Sequence, residues 1–487
     1  MTDIGKKLTR RTLVKGAVAG GALASASKVA AQAQAMNRKT HAIVGVGSRS
    51  RMYQAAIWAE HKATSSLVGI CDTNPGRLAL VARRASEAGA TPPRTYLAGD
   101  FDKMIRETKP EVVIVTTPDA FHERYIVRAL ELGCDVVTEK PMTTTAAMAR
   151  RILDTCARTG KHIRVSFNYR YAPFRTQVKE LLMAGEIGDV LSVDFHWLLN
   201  TTHGADYFRR WHSSKAISGG LMVHKATHHF DLVNWWLSAN PVSVTAKGKR
   251  EFYTPEMARR FGLSGPHERC LTCPEKAQCG FYLDISADRG LKALYLDNEK
   301  YDGYFRDQCV WRPEIDIEDN MNVVVEYDTG ALMSYSLNAN NAWEGYMIAF
   351  NGTKGRLEHS QVESVYVAGG DMVQGGVEED KVKTRIYPLR GAPRDIKVRL
   401  GQGGHGGGDA VMLAELFGTA PSDPTFRAAN ELGGAASIAV GIAANQCFKT
   451  GKAVEIADLL PGLKKPELPP MPTRKDKVPM PPKWVRG

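Results

Sequence analysis

His41-Ala42-Ile43-Val44-Gly45-Val46-Gly47-Ser48-Arg49-Ser50 leads into a helical stretch, Arg51 to Glu60, and then into Leu67-Val68-Gly69-Ile70-Cys71-Asp72. The order is a short apolar strand, a glycine turn, a helix, a second strand and an acid. Gly45 permits the tight turn, and Gly47 leaves the backbone bare where a pyrophosphate approaches. The helix N-terminus presents unpaired N–H groups to that anion, with Ser48 and Arg49 in the same turn. Ser50 stands where a third small residue is usual. Asp72 lies 22 positions beyond Ser50, the spacing of an acid that binds a ribose and repels a 2′-phosphate. The expected cofactor is NAD rather than NADP, a preference that Arg77 weakens without reversing.

Further along, Val112-Val113-Ile114-Val115 reads as a third buried strand and Val136-Val137 lies in a fourth, with helical patterns between them such as Ala120 to Leu132. Strands alternating with helices predict a doubly wound parallel sheet of the Rossmann type. The second half changes character. Leu191 to Trp197 alternates as a strand does, Val242 to Lys247 follows Pro241, and Asn322 to Tyr327 is joined through Asp328-Thr329-Gly330 to Ala331 through Leu337. The last pair is a hairpin signal.

Four segments follow one another along the chain: the glycine turn, Thr116-Thr117-Pro118-Asp119 with His122, Glu139-Lys140-Pro141-Met142, and Gly219-Gly220 through His228 to Asp231. In that order they resemble the Gfo/Idh/MocA oxidoreductases. The resemblance implies a second, α+β domain built on an open, mostly antiparallel sheet. It adds Thr117, Pro118, His122, Glu139 and Lys140 to Gly45, Gly47, Ser48, Arg49 and Asp72 as cofactor-binding residues. It assigns Lys140 to the carbinol proton or its support, with the alternative of a scaffold pair with Glu139. A lysine facing a cationic nicotinamide has a lowered pKa.

By position, His228 matches the family's histidine and Asp231 its closing acid, while His224 stands where the family has an acid and Ala226 where it has a glycine. Four residues apart, His224 and His228 are expected on one helix face as a catalytic pair titrating near neutrality. The alternative is that His224 caps or packs within a polar core. Asn168 and Arg170 resemble a stretch beside the family's pocket. Trp211 and His212, with His203 and Tyr207, are expected to line a sugar pocket together with Lys225 and Asp231. His405, in the glycine-histidine loop 401–409, resembles a segment that enters the site before a helix; the alternative is a plain loop with Asp409 as N-cap.

The composition is that of a globular protein, 43% hydrophobic and 24% charged over 487 residues, enough for two or three domains. The charge of +12 suggests a polyanion partner until it is divided. Residues 1–35 carry six Lys/Arg against one acid, and residues 461–487 carry seven against two. With the excess on the two ends, no basic groove for nucleic acid is expected. Thr9-Arg10-Arg11, a mild apolar stretch from Gly16 to Ser27 and Ala33-Gln34-Ala35 together resemble a bacterial twin-arginine export signal. That implies passage through the twin-arginine translocase already folded, a periplasmic or extracytoplasmic location, and no membrane span in the mature chain. The expected division is signal 1–35, dinucleotide domain 36–160, substrate and oligomerisation domain 161–460 with an insertion at about 250–315, and a tail 461–487 rich in Pro and Lys. The tail is expected to be extended, either as an arm on a partner subunit or as a solvated end.

Cys270, Cys273, Cys279 and Cys309 cluster in the insertion. A structural zinc site is one reading, disulfides, favoured by export, are a second, and free thiols or an iron–sulfur centre are the third. The functional expectation is hydride exchange between a sugar, glycoside or polyol carbinol and a tightly held NAD, in a homo-oligomer. A redox-assisted glycosidase and a non-catalytic sugar-binding protein are the alternatives.

Overall fold

Six strands form the first sheet: β1 (Lys39–Val44), β2 (Ser65–Asp72), β3 (Arg94–Leu97), β4 (Val112–Val115), β5 (Asp135–Thr138) and β6 (Ile163–Val165). They run parallel in the order β3-β2-β1-β4-β5-β6. The computed structural model describes residues 38–363, 377, 379–418 and 422–483. The signal read in residues 1–35 lies outside the described residues, as does the end of the tail. Val112 to Val115 are all buried, as a central strand covered on both faces requires. Because the strands are parallel, the glycine turn after β1, Asp72 ending β2, Thr116–Asp119 after β4 and Glu139–Met142 after β5 meet along one edge. That carboxyl edge is where such sheets bind ligands. β6 extends this sheet past residue 160, so the first domain runs a few residues beyond the expected boundary.

The second sheet contains β7 (Val190–Asn200), β8 (Pro241–Lys249), β9 (Asn320–Tyr327), β10 (Leu332–Asn341), β11 (Glu344–Gly352), β12 (Gly355–Glu363), β13 (Val382–Pro388), β14 (Arg394–Asp395) and β15 (Val454–Glu455). Its order is β14-β13-β12-β11-β7-β10-β9-β8-β15. Only β7 and β10 pair in parallel, while β9 and β10 form the expected hairpin with Leu332 opposite Glu326. Alternation sets its two faces. Met321, Val323, Val325 and Tyr327 point inward, and Val324, Leu332 and Met347 remain exposed on the other side. The inner face is covered by the helices Thr227–Leu237 and Glu431–Thr450, around Trp197, Trp235 and Trp236.

Three late segments return to the first domain. Ala429 accepts from the Val165 N–H at 3.0 Å. The helix Gly408–Phe417 places Phe417 edge-on to Tyr53 at 6.3 Å and so carries the preceding glycine-histidine loop to the carboxyl edge of the first sheet. The insertion between β8 and β9 reaches the helix Pro75–Glu87, where Asn74 Nδ2 donates to the Asn298 carbonyl at 3.0 Å. The described part of the tail has no helix. It lies on its own chain: Ser238 donates to the Pro469 carbonyl at 2.7 Å, and Leu463, Leu468 and Met471 pack on the core. Among the described residues no helix is long and apolar enough to cross a membrane.

Candidate active site at the carboxyl edge of the parallel sheet

The glycine turn has the geometry that a dinucleotide needs. Gly45 has φ +85°, and a Cβ there would lie 2.7 Å from Thr117 N and 2.8 Å from Thr116 O, so both the backbone angle and the close approach demand glycine. A Cβ at Gly47 would meet only the Tyr295 hydroxyl, at 3.9 Å, which leaves the turn open toward the edge. Ser50 donates to the Gly47 carbonyl at 2.7 Å and accepts from Gln54 at 2.8 Å, which gives the departure from glycine a structural reason. The Thr117 hydroxyl is buried without a hydrogen-bond partner, a group left for a ligand. These residues fit a bound NAD. Asp72 sits at the expected place, but its carboxylate also holds the turn. It accepts from Val46 N at 2.7 Å and Asn74 N at 2.8 Å and pairs with Arg77 at 3.5 Å.

Two expected cofactor ligands have other occupations. His122 faces the Pro141 carbonyl with Nδ1 and the Thr117 carbonyl with Nε2, each at 2.8 Å. It therefore ties the β4 and β5 loops together instead of reaching a cofactor. Glu139 accepts from Arg49 Nε at 2.6 Å and Tyr53 Oη at 2.7 Å, so Arg49 and Glu139 form a partly buried pair at the floor of the edge. Pro118 shapes the turn into the short helix Asp119–Phe121.

Lys140 reaches across from the end of β5 and donates to the His224 carbonyl at 3.2 Å. Burial draws its ammonium down to about 8, although Asp119 and Glu139 push the other way. His224 itself lies with Nδ1 2.5 Å from Asp119 Oδ2. Burial pushes Asp119 well above the usual carboxyl range and His224 well below the usual imidazole range. His212 stands 4.2 Å from His224, ring to ring, and Trp211 stacks on His212 at 3.6 Å. His212 Nδ1 is buried and unpartnered.

The expected single helix face for His224 and His228 is not formed. His224 ends the helix Gly220–His224, and His228 belongs to the next helix, Thr227–Leu237. The turn at Lys225-Ala226 separates the two imidazoles and gives them different partners. Neither titrates near neutrality, because burial, followed by the positive charge of Lys140, lowers both. His228 stacks on Tyr169 at 4.1 Å with Nδ1 unpartnered. His405 also lies beside Tyr169, 5.6 Å away ring to ring. Its φ of +53° is unusual for a residue with a side chain, a strain that functional loops tolerate. Asp409 holds it at 2.8 Å and also accepts from Asn168 at 2.6 Å. Asp409 is thus a site residue; the N-cap of its helix is Gly407. Against burial, His405 and Arg49 hold the Asp409 carboxyl well below the usual range. Lys225 is buried and donates to Tyr169 Oη at 3.1 Å.

Arg170 and Asp231, expected to face substrate, instead face each other. Arg170 Nε meets Asp231 Oδ2 at 2.7 Å and Nη2 meets Oδ1 at 2.5 Å, both residues being buried. The guanidinium lies 5.8 Å from the Phe167 and Trp235 rings. Sequence reasoning missed Asp119, Tyr169 and Asp409 as site residues. Asp119 was the most accessible of the three, since an acid just beyond a parallel strand's carboxyl end is already at the ligand edge.

The expected zinc site is not formed. The four clustered cysteines border one small cavity with Arg209, His267 and Glu275, but among the described residues no group of three or more Cys, His, Asp or Glu is arranged to hold a metal ion. Arg209 donates to Cys270 Sγ at 3.1 Å, and burial pushes the Cys273 and Cys309 thiols up, favouring the protonated form over the thiolate that a metal requires. All eight cysteines are free thiols, so the disulfide alternative is not formed either.

Known proteins agree with this architecture. The chain is 38% identical to the protein YteT of Bacillus subtilis (strain 168) over 408 residues, 82% of this chain and 93% of that one. It is 26% identical to the D-glucoside 3-dehydrogenase of Escherichia coli (strain K12) over 46% of this chain and 62% of that one. The crystal structure of an aldose-aldose oxidoreductase from Caulobacter crescentus shares the fold, with a TM-score of 0.57 and 17% identity over 86% of this chain and 99% of that one. Residues 39–167 match the NAD-binding Rossmann fold of the GFO_IDH_MocA oxidoreductase family and residues 179–456 match its C-terminal alpha/beta domain. The chain is therefore a member of the Gfo/Idh/MocA oxidoreductase family.

Proposed function

We propose that the protein oxidises, or in reverse regenerates, a secondary carbinol of a sugar, glycoside or polyol, using a retained NAD. The observation that carries this reading is the position of Lys140 Nζ, 3.2 Å from the His224 carbonyl and beside the Asp119–His224 pair, at the edge where the glycine turn opens. When bound, NAD supplies the hydride acceptor at its nicotinamide. Gly45, Gly47, Ser48, Thr117 and Asp72 would hold it. Lys140, neutral above about pH 8, takes the carbinol proton, and Asp119 positions it through His224. Trp211, His212, His228 and Lys225 offer stacking surfaces and hydrogen bonds suited to a polyhydroxylated ring. The sugar name of the D-glucoside 3-dehydrogenase relative supports the same class. Arg77, pinned to Asp72 and Asp302, is not available to a 2′-phosphate, which supports NAD over NADP.

The reading includes export of the folded, loaded protein by the twin-arginine route, supported by Arg10-Arg11 and the segment that follows them. It also includes a homo-oligomer joined through the exposed sheet face that carries Val324, Leu332 and Met347. One observation favours the glycoside-cleaving variant of the reading: His405, held by Asp409, offers a second proton carrier beside Tyr169, the ring on which His228 stacks. The test is a panel of sugars, glycosides and polyols deuterated at carbon. Deuterium on the nicotinamide after mixing is expected. Bound NAD that never gains deuterium from the panel would overturn the reading, and release of the aglycone would select the variant.

A further inference from the structure

The insertion covers the dinucleotide site, and it does so at named atoms. Between Cys279 and Cys309 the chain forms the helices Arg289–Leu294 and Glu299–Asp302 and crosses onto the first domain. Tyr295 places its hydroxyl 3.3 Å from the Ser48 N–H. That N–H is in the glycine turn, where a phosphate oxygen of the dinucleotide would accept. Three residues on, the Asn298 carbonyl accepts from Asn74 at 3.0 Å. Asn298 lies so close to Gly76, at the start of the helix Pro75–Glu87, that a Cβ there would collide with its amide. Asp302 pairs with Arg77, which also holds Asp72. The segment therefore touches the first domain at the pyrophosphate turn, at the ribose acid's partner and at the helix after β2.

Its C-terminal half is secured elsewhere. Arg269 bridges Glu299 at 2.7 Å and Asp307 at 2.6 Å, and Asp307 also accepts from Leu271 N at 2.8 Å. Arg306 is fully buried against Asp206 at 2.6 Å, on the helix Thr201–Arg209 of the second domain. The segment is thus rooted in the second domain and reaches over the cofactor edge of the first.

We propose that residues 289–306 form a strap across the pyrophosphate and adenosine half of the dinucleotide, with Tyr295 Oη donating to the pyrophosphate in the loaded protein, and that this strap sets how slowly the dinucleotide leaves. The inference rests on the NAD site proposed above. The tyrosine exchanges one partner for another: its oxygen accepts from Ser48 N–H in the free protein, and its O–H donates to a phosphate oxygen that takes that N–H over. A hydrogen bond to a charged oxygen is stronger than one to a neutral donor, so the strap closes more firmly over the occupied site. A dinucleotide then leaves only after the Asp302–Arg77 and Asn298–Asn74 contacts part. The strap belongs to the second domain, so departure requires the two domains to separate locally.

The test is the dissociation rate of bound NADH, chased with excess NAD and followed by nicotinamide fluorescence, in the full chain, in Tyr295→Phe and in Asp302→Asn. Tyr295→Phe keeps the ring and removes the donor, and Asp302→Asn weakens the outer tether. Each variant is expected to release NADH about tenfold faster, the effect of one charge-assisted hydrogen bond. Melting temperatures close to the parent's show that neither change unfolds the insertion. Equal or slower release from both folded variants overturns the strap while leaving the NAD site standing. A parent protein that takes up no NADH overturns the NAD site and the strap with it.

Discussion

His224 Nδ1 and Asp119 Oδ2 lie 2.5 Å apart although the residues are 105 positions apart in the chain. The contact joins the loop after β4 to the turn between two helices of the second domain, and His224's own carbonyl receives Lys140. In the proposed mechanism the Asp119 carboxyl thereby positions the lysine from a distance. Asp119→Asn keeps the shape and removes the acid. It is expected to lower kcat by about a hundredfold, the scale of a general acid–base contribution, with a smaller change in KM and a shifted pH profile. A profile identical to the parent's would assign Asp119 to scaffolding.

Lys140 titrates at about 8. In the proposed reaction its neutral form takes the proton during oxidation, so the oxidation rate is expected to rise as pH increases through about 8. The reverse reaction needs the charged form and is expected to fall over the same interval. Lys140→Ala should cut turnover by about a hundredfold or more while NAD remains bound. Steady-state rates from pH 6 to 10 in both directions check this, and a lysine-free variant with parental turnover would remove the assignment.

In the proposed NAD site Asp72 would repel a 2′-phosphate, and it pairs with Arg77, which Asp302 also holds. Asp72→Ala removes the repulsion, so the preference for NAD over NADP is expected to fall by about tenfold or more. The same change deprives Val46 N and Asn74 N of their acceptor and should cost about 1–3 kcal/mol. Binding constants for both dinucleotides and a thermal melt separate the two effects.

Arg170 and Asp231 carry opposite charges inside the protein. Asp231→Ala leaves the guanidinium buried without its partner and is expected to destabilise by about 3–5 kcal/mol. A denaturant titration measures it. A loss below about 1 kcal/mol would mean that water reaches Arg170.

Burial lowers His41 to about 4 and His359 to about 3, and holds His212, His224, His228 and His229 below the usual range as well. The unfolded chain protonates these groups near pH 6.5, and the folded chain does not. Their contribution to stability is therefore complete above pH 6.5 and declines as the pH falls below it, because only the unfolded chain takes up the protons. The melting temperature is expected to drop steeply between pH 6.5 and 4.5. A flat profile over that range would contradict neutral burial of the group.

Much of this architecture is legible along the chain. The strand at His41–Val44, the turn Gly45–Gly47, the β4 run Val112–Val115 and the hairpin around Asp328-Thr329-Gly330 are each signalled within about ten residues, because glycine's backbone freedom, β-branched packing and side-chain alternation are local properties. Lys140 and the carboxyl edge follow from them once the sheet is parallel. The histidine pair was misread because spacing by four implies one face only if the helix is continuous. A turn at Lys225-Ala226 interrupts it.

Which charges pair is a different kind of information. Arg170 reaches Asp231 over 61 positions, Asp119 reaches His224 over 105, and Tyr295 reaches Ser48 over 247. The linear order of residues thus determines the two sheets, the dinucleotide turn and the lysine at its edge. Folding in three dimensions decides which buried group neutralises which, which histidines remain without a proton, and that an insertion of the second domain lies over the cofactor site of the first. The physical reason is that desolvation and ion pairing depend on neighbours in space, and no local pattern names those neighbours.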